Sequence, residues 1–60
     1  MREFNILKDT YYIEKKGGRE DEMRKEANKL IKNGYFYSYT FLESDKKNIL
    51  EIREFEIIKL

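Results

Sequence analysis

The chain has 60 residues, 13 of them basic and 12 acidic, for a formal net charge of +1, and it contains no histidine, cysteine or proline. The absence of cysteine excludes disulfides, thiolate nucleophiles and zinc–thiolate sites, and the absence of histidine removes the commonest general base and metal ligand. A net charge this close to zero supplies no long-range steering toward nucleic acid or an anionic membrane.

A chain of this length forms one domain, residues 1–60, and buries only about 60% of the surface its unfolded form exposes. Such domains lean on disulfides, a metal or a second subunit. The first two are hard to supply here, so oligomerisation is the route left open. No apolar run approaches the length of about 18 residues that a membrane span needs, and the first residues lack the apolar core of a secretory signal. A cytoplasmic location with no membrane partner is expected.

Residues Arg2 to Lys16 hold Phe4, Ile6, Leu7, Tyr11, Tyr12 and Ile13. These positions fit no helical stripe and alternate imperfectly, so strand is the better reading. One long strand with an irregularity near Lys8-Asp9 would suit it, as would two short strands. The preferred reading is a strand around Tyr11 to Lys15 preceded by one around Glu3 to Leu7, although Lys8-Asp9 has no Gly or Asn to make a tight primed turn.

Gly17-Gly18 breaks the pattern, and Arg19 to Asn33 reads as the helix. Met23, Ala27, Leu30 and Ile31 fall on one side at i, i+4, i+7 and i+8. Glu20, Asp21 and Glu22 in the first turn and Lys29 and Lys32 near the end complement the helix dipole. Gly34 suits the left-handed position after the last turn.

Tyr35 to Leu42 is the organising strand. Tyr35, Tyr37, Tyr39 and Phe41 line one face and Phe36, Ser38, Thr40 and Leu42 the other. Two bulky faces point to a central strand. A polar connection, Ser44 to Asn48, leads into a last strand from Ile49 to Leu60 and closes a hairpin. There Leu50 and Ile52 share one face while Phe55 and Ile57 have the opposite parity. Either a register shift near Arg53-Glu54 or a strand with mixed faces would explain this. The expected fold is a two-layer α+β domain, β(β)αββ, with one helix on a mainly antiparallel three- or four-stranded sheet.

One short helix covers one sheet face. Ser38 and Thr40 are small, which would let the helix approach there and leave Tyr35, Tyr37, Tyr39 and Phe41 open. Exposed tyrosines can keep their hydroxyls wet, whereas buried ones need partners. The aromatic row is therefore the expected partner or dimer face, with Tyr37 and Tyr39 as anchors, and the reverse assignment, with the aromatics under the helix, is the alternative.

The same rings could stack unpaired bases, with Lys15, Lys16, Arg19, Lys46 and Lys47 as phosphate contacts. No lysine interleaves with the rings, so nucleic acid is the weaker reading. Lys15 to Arg19 runs into a helix N-terminus but lacks Walker spacing, and Glu20, Asp21 and Glu22 would repel an anion. Glu43, Glu51, Glu54 and Glu56 are read as a solvated face or a protected edge rather than an acid pair or magnesium site. Strand addition through Ile49 to Leu60 is a third mode of pairing.

No catalytic residue, metal, cofactor or small-molecule substrate is indicated. The expectation is a small non-enzymatic interaction protein that self-associates or binds another protein. A composition rich in Lys, Ile, Asn, Tyr and Phe reads as AT-rich coding sequence, which points to a low-GC bacterium or its phage or mobile element.

Overall fold

The first segment is a single strand, β1 (Glu3–Lys15), and not two. Its imperfect alternation has one cause. Leu7 pairs with Phe55 and Asp9 with Glu54, so Lys8 is an extra residue in a β-bulge. The bulge shifts the side-chain parity: Phe4 and Ile6 before it share a face with Asp9, Tyr11 and Ile13 after it. The four-stranded alternative is thereby excluded, and with it the split at Lys8-Asp9.

These relationships come from a computed structural model that describes residues 2–60. After β1, Gly17 adopts φ +70° in the turn leading to α1 (Glu20–Ala27). The helix continues as one 3-10 turn over Asn28–Leu30 and stops there, short of Asn33. Gly34, at φ +88°, therefore serves the turn into β2 (Tyr35–Leu42) and not the last turn of the helix. A hairpin connection pinned by the Ser44 hydroxyl, which accepts from the Lys47 N–H at 3.2 Å, leads to β3 (Asn48–Lys59).

All pairing is antiparallel and the strand order is β1-β3-β2. The central strand is therefore β3, and the aromatic strand β2 lies at an edge. β3 keeps one register against β2 throughout, from Tyr35 opposite Glu56 to Leu42 opposite Ile49. It contains no shift at Arg53-Glu54. Its two apolar parities are two faces of one regular strand, and the irregularity belongs to β1.

The helix packs on the face formed by Leu50 and Ile52 of β3. Met23, Ala27, Leu50 and Ile52 are fully or almost fully buried, with Tyr11, Ile13, Tyr37, Tyr39 and Phe41 packed around them. This corrects the expected side of the sheet: α1 covers the aromatic row, not the row of Ser38 and Thr40. Leu30 and Ile31 lie past the end of the core and remain partly exposed. Eight helical residues span about 12 Å, whereas the molecule is 45 Å long. The second layer thus covers only a part of one face.

Candidate interaction surface on the helix-free face

Register assigns each side of the sheet. Across the three strands, Leu7, Phe55 and Phe36 form one row on the face away from α1. The next rows are Thr10, Arg53 and Ser38, then Tyr12, Glu51 and Thr40, then Glu14, Ile49 and Leu42. Leu7, Tyr12, Phe36 and Leu42 are each about half exposed, between 49% and 58%. Phe36 and Phe55 pack against each other with ring centroids 5.9 Å apart. Along β2 and β3 the face is bulky and apolar at both ends, with Ser38, Thr40 and one ion pair between, while β1 adds Tyr12 beside the middle rows and Glu14 at one end. That pair joins Arg53 Nε to Glu51 Oε1 at 2.8 Å, with the Glu51 side chain only 16% exposed.

The aromatic row occupies the opposite side. Tyr37, Tyr39 and Phe41 contact the core under α1, and the Arg24 guanidinium lies over the Tyr39 ring, 5.3 Å from its centre. Tyr35 pairs with Glu56 past the end of the helix. These rings are therefore not a free platform for a partner or for stacked bases.

The hydroxyl that argued for exposure finds its partners inside the fold. Tyr37 Oη accepts from the Lys32 N–H at 3.1 Å and lies 3.2 Å from the Leu30 carbonyl and 2.5 Å from Glu54 Oε2. It caps the point where the helix ends and partners a carboxylate that is only 4% exposed. Burial, followed by the hydrogen bond to Glu54, holds the Tyr37 hydroxyl above the ordinary tyrosine value of 10. Tyr11 is raised as well, first by burial and then by the charges of Asp9 and Glu54.

Glu54 is thus a buried acceptor on the central strand, not a solvated face or a guarded edge. Glu56 shares its face and ion-pairs with Lys8 at 3.1 Å, Glu51 points to the other face, and Glu43 follows the end of β2. Among the described residues, no three carboxylates converge as a cation site.

Lys15, Lys16, Arg19, Lys46 and Lys47 do gather at one end of the sheet, because Lys15 pairs with Asn48 beside the β2–β3 connection. They meet acidic neighbours there: Lys15 bonds Glu26 at 2.6 Å and Lys47 bonds Glu14 at 2.9 Å. The depression at this end is lined by Gly17, Gly18, Arg19, Glu20, Asp21 and Glu43, a set with more negative than positive charge. Strand addition along β3 is blocked by β1 over its whole length on one side and by β2 over Ile49 to Glu56 on the other.

Sequence reasoning missed Leu7, Tyr12, Phe36, Leu42 and Phe55 as a surface. The signal was present in the parity of Phe36 with Leu42 and of Phe55 with Ile57. In β2 it suggests a site of close helix approach, and in β3 a register shift is preferred on sequence alone to the mixed-face strand that the structure shows.

The fold and this face define a small two-layer α+β protein with one partly covered and one bare apolar sheet surface. No family model, curated protein or solved structure matches the chain. No described helix is long and apolar enough to cross a membrane.

Proposed function

We propose that this chain is a small non-catalytic interaction protein whose working surface is the helix-free face of its sheet. The observation that carries the reading is the half-exposed set Leu7, Tyr12, Phe36 and Leu42 around Phe55 on that face. Phe4 and Ile6 are also exposed, at 46% each, on the helix side beyond the end of α1, but the helix-free face carries the larger group, and exposed apolar side chains gathered on a face rather than scattered singly are a mark of interaction sites. Bulky side chains at both ends supply anchors, and the hydroxyl and ion-pair rows between them supply orientation.

Phe36→Glu tests it. Phe36 lies on an edge strand and points to solvent, so the substitution leaves the helix-side core untouched. Immobilised wild-type chain and the variant are compared for capture of any protein, the chain itself included, with circular dichroism and melting temperature as controls on folding. The expected result is lost association by a variant that keeps the wild-type far-ultraviolet spectrum and a cooperative transition, with a melting temperature lowered by no more than the lost Phe36–Phe55 contact and the linked association contribute. Association equal to wild type would refute the face as the working surface.

A further inference from the structure

We propose that the occupant of the helix-free face is a second copy of this chain, packed sheet to sheet about a two-fold axis that crosses the strands at the level of Ile52. The inference rests on the reading of that face given above.

Surface area gives the first argument. A monomeric protein of 7.4 kDa is expected to expose about 4,200 Å², whereas this chain exposes 4905 Å². The excess, about 700 Å² over the whole chain and shared with the uncovered stretch of the helix side where Phe4 and Ile6 are each 46% exposed, leaves room for an interface at the lower end of the standard size of roughly 800 Å² per partner. Shape agrees. The radius of gyration is 13.4 Å, against about 10 Å expected for a compact domain of 60 residues. A long, thin sheet gains the thickness of an ordinary domain when a second sheet stacks on it at about 10 Å.

The pattern of the face gives the second argument and fixes the arrangement. Reading along β2, the side chains are Phe36, Ser38, Thr40 and Leu42: bulky, small, small, bulky. Reading along β3, they are Ile49, Glu51, Arg53 and Phe55: apolar, negative, positive, apolar. Both series are symmetric in size about the row of Tyr39 and Ile52, while the charges are opposite across it.

A two-fold axis lying between the sheets, perpendicular to the strands at that row, sets Phe36 over Leu42, Phe55 over Ile49 and Ser38 over Thr40 of the second copy. It also sets Arg53 over Glu51, twice, so the 2.8 Å pair within each chain becomes one of four groups of alternating sign. On β1 it brings Leu7 over Glu14, whose carboxylate is turned to Lys47 at 2.9 Å. The other in-plane axis, parallel to the strands, sets Arg53 over Arg53 and Glu51 over Glu51. Like charges in an interface are costly, so the crossing axis is selected. The contact is isologous and closes as a dimer.

The test uses Glu51→Arg and Arg53→Glu, whose side chains lie on the helix-free face and not in the core. In the proposed dimer each variant alone faces like charges at both symmetric positions, and a mixture of the two restores opposite charges at both. Sedimentation velocity over a dilution series is expected to show a wild-type dimer. Each single variant should dissociate about a hundredfold more readily or worse. An equimolar mixture should form a heterodimer, and the double exchange Glu51→Arg with Arg53→Glu should dimerise on its own. Circular dichroism confirms that each variant is folded.

A wild-type chain that stays monomeric at millimolar concentration overturns the second copy and leaves the proposed interaction face standing. A dimer indifferent to both charge variants and to Phe36→Glu uses another surface and overturns this dimer, while the face itself is then judged by the capture comparison with Phe36→Glu. A dimer lost in Phe36→Glu but kept in each charge variant overturns the two-fold arrangement alone.

Discussion

Replacing Tyr37 with Phe isolates a single hydroxyl that partners the buried Glu54 carboxylate and the 3-10 end of the helix. Tyr37 Oη receives the Lys32 N–H and meets both Glu54 Oε2 and the Leu30 carbonyl. Its one proton goes to the carboxylate, which is closer and charged. Hydrogen bonds to charged groups contribute about 1.5–3 kcal/mol, and removing one partner leaves the other desolvated. A domain of this size has a total stability on the order of 3–9 kcal/mol, and each kcal/mol moves its melting temperature by about 4–8 °C. Tyr37→Phe is therefore expected to lower the melting temperature by roughly 10–20 °C at pH 7, measured by far-ultraviolet circular dichroism. The same residue sets part of the alkaline limit. A phenol raised above 10 in the fold holds its proton more tightly there than in the unfolded chain. Its stabilising contribution is complete below about pH 10 and is lost as pH climbs past 10 toward the folded value. Tyr37 and Tyr11 both act in this sense, so Tyr37→Phe should leave a shallower alkaline decline, with Tyr11 supplying the remainder. A variant melting within about 3 °C of wild type at neutral pH would refute the role assigned to the hydroxyl.

Deleting Lys8 removes the bulge residue while every other pair, from Glu3 with Lys59 to Lys15 with Asn48, keeps its partner. A folded protein with a melting temperature within a few degrees of wild type is expected, although the deletion falls inside a 13-residue strand; loss of the cooperative transition would show that the bulge is needed for twist. Ile52→Ala empties the centre of the core, where the native side chain is fully buried. A cost of about 2–5 kcal/mol rivals the whole stability, so no cooperative melting is expected near 37 °C, and a preserved transition would count against this core. Gly18→Ala would place a methyl group 2.8 Å from Lys15 Cβ and 3.0 Å from Met23 Sδ. Differential scanning calorimetry should show a lower melting temperature, and an unchanged value would mean that the turn yields freely.

What the sequence made legible was local. The period-two run from Tyr35 to Leu42, the helix start after Gly17-Gly18 and the hairpin through Ser44 to Asn48 each follow from side-chain alternation and turn residues a few positions apart. What escaped was set by contacts distant in sequence. Whether Tyr37 is wet or buried depends on Glu54, 17 residues away, and nothing near Tyr37 announces that partner. The order β1-β3-β2 makes the last strand central, so its glutamates could not be read as an edge. The bulge was half visible: the parity change between Ile6 and Tyr11 was evident, but the pairing that distinguishes one strand from two lies in β3. The helix stops early where the Tyr37 hydroxyl meets its last turn, again a partner that no helical periodicity reveals.

Which face received the helix follows from polar satisfaction more than from apolar area, since both faces carry large side chains. On the helix side, the buried polar groups are Glu54 and the tyrosine hydroxyl it meets, and among the described residues no buried side-chain polar atom lacks a partner. The other face holds Arg53 and Glu51 side by side at its centre. A helix laid over that pair would have to desolvate both charges, and the apolar residues it packs with, Met23 and Ala27 with Leu30 in the 3-10 turn, cannot hydrogen-bond them. Burying charges without full hydrogen bonding costs several kcal/mol per ion. The charges thus turn the helix away, and a surface offering the same charges in reverse order remains a suitable cover. The two-fold copy meets that condition with no residue beyond those in the chain. In the proposed dimer, the ion pair on the bare face of each molecule would also select the arrangement of the two.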